Sequence, residues 1–180
     1  MTMSLIEHIE VGSGGAASIT FMNVGDIPSD YTDLYLLSSF KTNFVSSDVN
    51  DSALLTINGS TANQSQRTLF GDGSSATSFT ATRIRAGDGG SNAVTANTFG
   101  NASCYIPNYS SSSAKSFSID SVFENNATSA SQFLHAGLWT GTDPITSLTL
   151  TPRQGTLFVE HSSFSLYGIL AGSDGTTTVS

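Results

Sequence analysis

The chain has 180 residues, a length suited to one domain, and only 11% of them are charged. Its formal net charge is −8, and its 6 lysines and arginines are too few to form the basic patch that neutralises nucleic-acid phosphates. These values argue against binding to nucleic acid or to an anionic membrane surface, and no apolar run approaches the roughly 20 residues of a membrane-spanning helix.

Alternation of apolar and polar residues with a period of two predicts β-strands almost throughout the chain. In chain order, the predicted strands are 4–11, 17–24, 31–42, 53–57, 66–70, 79–86, 94–106, 115–123, 132–139, 147–151, 157–159 and 163–169. The alternation is clearest in 116–122 and 163–167, where one face is apolar and the other carries small polar side chains. No persuasive helical stripe occurs.

Clusters of Gly, Asn, Asp and Pro separate the predicted strands and are typical of tight turns. They lie at 12–15, 58–59, 71–73, 87–90, 125–126, 142–144 and 154–155. About twelve short strands joined in this way predict an all-β fold, a single-domain antiparallel β-sandwich with a jelly-roll arrangement, over residues 1–170. Residues 171–180 have only Val179 as an apolar anchor, and we predict a flexible tail there.

The sequence carries no recognisable catalytic or metal-binding motif. Cys104 is the only cysteine and lies in an alternating stretch, which favours a small buried core residue over a reactive thiol. The three histidines, His8, His135 and His161, do not have the spacing of metal ligands, and the nucleophile elbow GxSxG does not occur. We therefore predict a protein that is not an enzyme and that has no cofactor.

Three residues are candidate contacts with a partner. Arg83 and Arg85 fall on one face of a predicted strand and Ile84 on the other, and two neighbouring positive charges in so acidic a chain could hold an acidic partner. Tyr109 lies in the Ser-rich segment 107–113, which is predicted to be an exposed loop where a receptor or a neighbouring subunit could bind. Trp139, by contrast, lies in an apolar segment and is predicted to belong to the core.

Several stretches together resemble a family of small virion proteins of tailed bacteriophages, especially marine phages that infect cyanobacteria and similar hosts. The stretches include SLIEHIEVGSGGAASITF at 4–21, YIPNY at 105–109, KSFSIDS at 115–121 and SLYGI at 165–169. They are strand and turn signatures without a catalytic motif. The resemblance covers about residues 4–170 and implies a component of the phage particle.

From this resemblance we expect a non-enzymatic virion structural protein. The short chain without a fibre-like stalk, its acidity and its Ser/Thr-rich β composition favour, more specifically, a capsid decoration (cement) protein on the head surface. Its expected partners are the major capsid protein or other virion proteins and further copies of itself, with a homotrimer favoured. The alternative is a tail-fibre or receptor-binding module that recognises host-surface glycans. The first ten residues have neither the basic nor the apolar region of a signal peptide, so we expect synthesis in the host cytoplasm and a location on the virion.

Overall fold

The computed structural model describes residues 2–22, 25–45, 49–125 and 129–170. The predicted tail at 171–180 and part of the predicted turn at 125–126 lie outside the described residues. The described residues form two antiparallel sheets packed together, without a helix, which confirms the predicted all-β sandwich. Accordingly, this part of the chain contains no helix long and apolar enough to cross a membrane.

The described part of the chain contains twelve strands. They are β1 (Thr2–Glu10), β2 (Ile19–Phe21), β3 (Asp33–Phe40), β4 (Asn50–Ile57), β5 (Gln64–Gly71), β6 (Ala76–Ala81), β7 (Arg85–Gly90), β8 (Gly100–Pro107), β9 (Lys115–Glu124), β10 (Ala130–Trp139), β11 (Leu148–Pro152) and β12 (Ser163–Leu170).

The two sheets differ in size. The larger sheet has the strand order β1-β12-β3-β8-β9-β10-β5-β6, and the smaller sheet has the order β2-β11-β4-β7. From β1 to β4 the chain alternates between the two sheets. Two hairpins, β5–β6 and β9–β10, lie side by side in the larger sheet and extend it by four strands, so that β6 is its last strand on that side.

The core lies between the sheets and is filled by every second residue of each strand, because successive side chains of a strand point to opposite faces. In β3, Leu34, Leu36 and Phe40 are buried and alternate with half-buried residues. Phe40 packs on Phe158 and Phe164, with ring centroids 5.6 and 5.8 Å away. Burying each such ring contributes about 1.5–3 kcal/mol to the free energy of unfolding. Trp139 is 5% exposed, which confirms its predicted place in the core.

The prediction of a turn at 87–90 was wrong, because this glycine-rich segment is most of strand β7. Its backbone passes so close to the larger sheet that side chains would collide: a Cβ on Gly87 would lie 2.2 Å from Cβ of Ala102, and one on Gly89 would lie 2.5 Å from the ring of Phe40. The glycines therefore serve close packing and not a turn.

Three further strand predictions differ from the structure. The predicted strand 79–86 is divided between β6 and β7, and the predicted strand 94–106 begins only at Gly100. Segment 157–159 contributes isolated bridges from Phe158 to Ala16 and Thr42 instead of a strand. Most of the predicted turns are present: Asn58 and Gly59, for example, have φ of 50° and 72°, as a two-residue hairpin turn requires.

Cys104 is fully buried in β8, which confirms the predicted core position. Burial raises the pKa of its thiol to about 12, so that very little reactive thiolate forms near neutral pH. We expect the native protein not to react with Ellman's reagent at about pH 8, and the protein unfolded in concentrated guanidinium chloride to react completely. Rapid reaction of the native protein would contradict this burial.

Candidate functional site

All four arginines of the chain line one cleft, which we call the arginine cleft (Arg67, Arg83, Arg85 and Arg153). Its volume is about 540 Å³, and it lies where the hairpin β5–β6 of the larger sheet meets β4 and β7 of the smaller sheet. Arginines that are far apart in the sequence, such as Arg67 and Arg153, thus share one surface.

Strand pairing brings the four arginines together. Arg67 on β5 lies opposite Thr80 on β6, at the end strand of the larger sheet. In the smaller sheet, Arg85 lies opposite Leu54 on β4, and Leu54 lies opposite Thr151 on β11, two residues before Arg153. The cleft therefore follows from the register of three strand pairs.

Within the described part of the chain, hydrogen bonds occupy only a few of the arginine donors. Arg83 donates from Nη2 to the carbonyl of Leu55 at 2.8 Å, while its buried Nε has no partner among the described residues. The guanidinium of Arg85 lies 4.7 Å from the ring centroid of Phe79, as in a cation–π contact. Arg153 donates to the side-chain oxygen of Gln154.

Among the described residues, no carboxylate oxygen lies within 4 Å of these arginines. The close contacts between basic and acidic side chains in these ranges both use histidine, His135 with Asp88 and His161 with Glu10. Burial lowers the pKa of Arg85, and the charge of Arg153 lowers it further, while the charges of the buried Asp88 and Asp51 raise it without reversing the shift. Every guanidinium nevertheless stays protonated, because arginine does not lose its charge in proteins.

The two lysines of the chain lie outside the arginine cleft and are buried. Lys41 and Lys115 are 6% and 1% exposed, and Lys115 donates from Nζ to the carbonyls of Ser111 and Asp143. Of the lysines and arginines, only the four arginines thus present charge to solvent. Their planar guanidinium groups suit carboxylate, sulfate or phosphate groups, which accept two parallel hydrogen bonds.

Arg83 and Arg85 are half-buried and both line the cleft, and Ile84 between them is fully buried. The prediction of one shared strand face was wrong, because Arg83 lies in the connection between β6 and β7 and only Arg85 belongs to a strand. Their contact with a partner stays a prediction. Sequence reasoning missed Arg67 and Arg153. The turn at 71–73 was a usable signal for Arg67, because a hairpin at that turn places Arg67 beside the strand that precedes Arg83.

Tyr109 is not exposed, and the expectation of an exposed contact there was wrong. Its side chain is fully buried, its hydroxyl donates to the carbonyl of Pro28, and burial raises its pKa to about 12. The surrounding serines suggested a solvent-exposed loop, but the ring folds inward and packs in the main core. A partner cannot contact this ring without displacing it.

A second surface feature is a line of three tyrosines on the outer face of the larger sheet, which we call the tyrosine row (Tyr167, Tyr35 and Tyr105). The three residues lie directly opposite one another on β12, β3 and β8, and all are half-buried. The Tyr105 hydroxyl donates to Asp33 at 2.9 Å, and this hydrogen bond, with burial and the charge of Asp33, raises the pKa of Tyr105.

No group of three or more His, Cys, Asp or Glu side chains within the described ranges is arranged to hold a metal ion. Comparison of the chain with protein families, curated proteins and solved structures found no match.

Proposed function

We propose that the chain is a non-enzymatic structural protein of a bacteriophage virion, and specifically a capsid decoration protein that acts by protein–protein assembly on the head surface. The observation that carries the assembly role is the arginine cleft. In a chain with a net charge of −8, the solvent-facing arginine charge is gathered at one place and has no carboxylate partner within 4 Å among the described residues. Such a surface suits an acidic protein partner.

The strand order supports a jelly-roll arrangement. The sets β1-β12-β3-β8 and β2-β11-β4-β7 have the order of an eight-stranded jelly roll, into which the hairpins β5–β6 and β9–β10 are inserted. Jelly rolls are common in viral capsid proteins and in lectins. Because a fold does not by itself fix a function, the link to the phage particle rests on the resemblance of the strand and turn segments.

The proposed partners are the major capsid protein or other virion proteins, together with further copies of this chain. Decoration proteins repeat over a symmetric surface, so we expect a small closed oligomer, with a trimer favoured. The proposed location is the capsid surface.

A tail-fibre or receptor-binding module for host-surface glycans is the second candidate, and the tyrosine row favours it. Three aromatic side chains in register, with serine and aspartate nearby on the same face, combine apolar ring surface with hydrogen-bonding groups. This combination suits the apolar faces and the hydroxyls of a sugar chain.

Immunogold electron microscopy of intact particles, with antibody raised against the purified chain, tests both candidates. We expect gold distributed over the head. Gold confined to the tail would contradict decoration and favour the receptor-binding role, for which a glycan array with the wild type and Tyr35→Ala would then test the tyrosine row. Absence of label from particles in which the antibody epitopes are accessible would contradict both.

A further inference from the structure

We propose that the arginine cleft and the open edge of β6 together bind an extended, acidic segment of a partner protein. The segment adds a strand beside β6 and places its carboxylates among the arginines. This inference deepens the assembly role proposed above and rests on it for the identity of the partner.

Among the described residues, no strand pairs with the outer edge of β6, so this edge can accept an added strand. β6 is the last strand of the larger sheet and pairs with β5 without a register shift. Its sequence, ATSFTA, contains no charged residue and no proline. Natural edge strands are usually protected by charges, prolines or bulges against pairing with other chains. An unprotected edge therefore suits a specific strand partner.

The opposite edge of the same sheet provides an internal comparison. β1 carries Glu7 and Glu10, and its register with β12 shifts between Leu5 and Glu7. These are the devices that discourage edge pairing. The chain thus protects one edge of the sheet and leaves the other unprotected.

The open edge and the arginines adjoin each other. Thr80 and Ala81 of β6 line the arginine cleft, and Thr80 lies directly opposite Arg67. A strand added beside β6 would lie about 10 Å, or two strand spacings, from β5. A long arginine side chain can bridge most of that distance toward a glutamate on the added strand.

The positive charge of the arginine cleft determines which side chains the bound segment should carry. The guanidinium groups of Arg67, Arg85 and Arg153 face the cleft without a carboxylate within 4 Å among the described residues, which favours glutamate or aspartate and disfavours lysine. Hydrogen bonds between β6 and the backbone of the segment provide affinity. Contacts with the arginines provide specificity for acidic side chains.

A fluorescein-labelled peptide Thr-Glu-Val-Glu-Val-Glu-Thr, titrated with the full chain and followed by fluorescence polarisation, tests the proposal. We expect binding that is at least about tenfold tighter than that of the peptide with lysine in place of glutamate, and that weakens as salt rises. Methylation of alternate backbone amides on the edge that faces β6 should abolish binding, because it removes the donors of the added strand.

The Arg67→Gln/Arg153→Gln variant should bind the acidic peptide about tenfold or more weakly, since both side chains are exposed and can be replaced without disturbing the core. The matched control, Thr2→Glu/Ser4→Glu on the distant strand β1, makes the same change in net charge and should bind as the wild type does.

Equal binding of the acidic and lysine peptides, or equal binding by the cleft variant and the wild type, would overturn the proposal. Light scattering that shows self-association lost only in the cleft variant would also overturn it, because the occupant would then be a second copy of the chain. If the peptide does not bind although immunogold labelling places the protein on the head, this inference is wrong and the proposed decoration role is unaffected.

Discussion

Replacing Gly87 with alanine is expected to lower the free energy of unfolding by about 3 kcal/mol or more. Gly87 has φ of 143°, a backbone conformation that residues with a Cβ rarely adopt. A Cβ added there would also lie 2.2 Å from Cβ of Ala102 and 3.6 Å from Cβ of Ser121. Neither contact is with the flexible end of a long side chain, so β7 would have to move away from the larger sheet.

Thermal denaturation of the variant should show a Tm lowered by about 6–12 °C for a domain of this size. Gly12→Ala is the control, because a Cβ there meets nothing within 4 Å. The double variant Gly87→Ala/Ala102→Gly should recover part of the loss, since it removes the closest contact. A Gly87→Ala protein as stable as the wild type would contradict the close packing of β7.

Replacing His135 with leucine is expected to destabilise the fold by about 3–5 kcal/mol, because it leaves a buried carboxylate without its partner. His135 and Asp88 are both fully buried, with His135 Nε2 and Asp88 Oδ2 3.1 Å apart. Neither atom has another hydrogen-bond partner among the described residues.

The neighbours of His135 fix its tautomer. The backbone N–H of Arg85 donates to Oε1 of Gln66, which turns Nε2 of that amide toward Nδ1 of His135 at 2.8 Å. An amide nitrogen only donates, so Nδ1 accepts and the ring proton lies on Nε2, facing Asp88. Thr68 completes the site with its hydroxyl 2.9 Å from Nδ1.

A double-mutant cycle measures this coupling. Urea denaturation would be compared for the wild type, His135→Leu, Asp88→Asn and the double variant. In the Asp88→Asn background the loss of His135 should cost clearly less, because no buried charge is left unpaired. Equal losses in both backgrounds would contradict a coupled pair. Ser52, which donates to the other oxygen of Asp88 at 2.6 Å, is unchanged in all four proteins.

The sequence predicted the fold class well, because strand alternation is a local signal. Lys115–Glu124 and Ser163–Leu170 follow their predicted ranges within a residue. Segment 87–90 failed for a non-local reason: its glycines match a turn by composition, and only the approach of Ala102 and Phe40 shows why they stand in a strand.

The candidate site was predictable only in part. Arg83 and Arg85 lie two residues apart in the sequence, so their proximity is a local feature, although Arg83 lies in the connection between β6 and β7 and not on a strand face with Arg85. Arg153 joins them only through the pairing of β11 with β4 and of β4 with β7, which no local pattern encodes. Tyr109 shows the converse error, because a serine-rich neighbourhood concealed an inward-facing ring.

All four arginines line one cleft of an acidic molecule, so positive charge is distributed unevenly over its surface. Near an acidic partner surface, this distribution favours approach with the arginine side forward, which raises the fraction of productive encounters. The effect extends over about one Debye length, roughly 10 Å at moderate ionic strength and about 3 Å in molar salt. Ionic strength would therefore control how fast the protein docks as well as how tightly it is held.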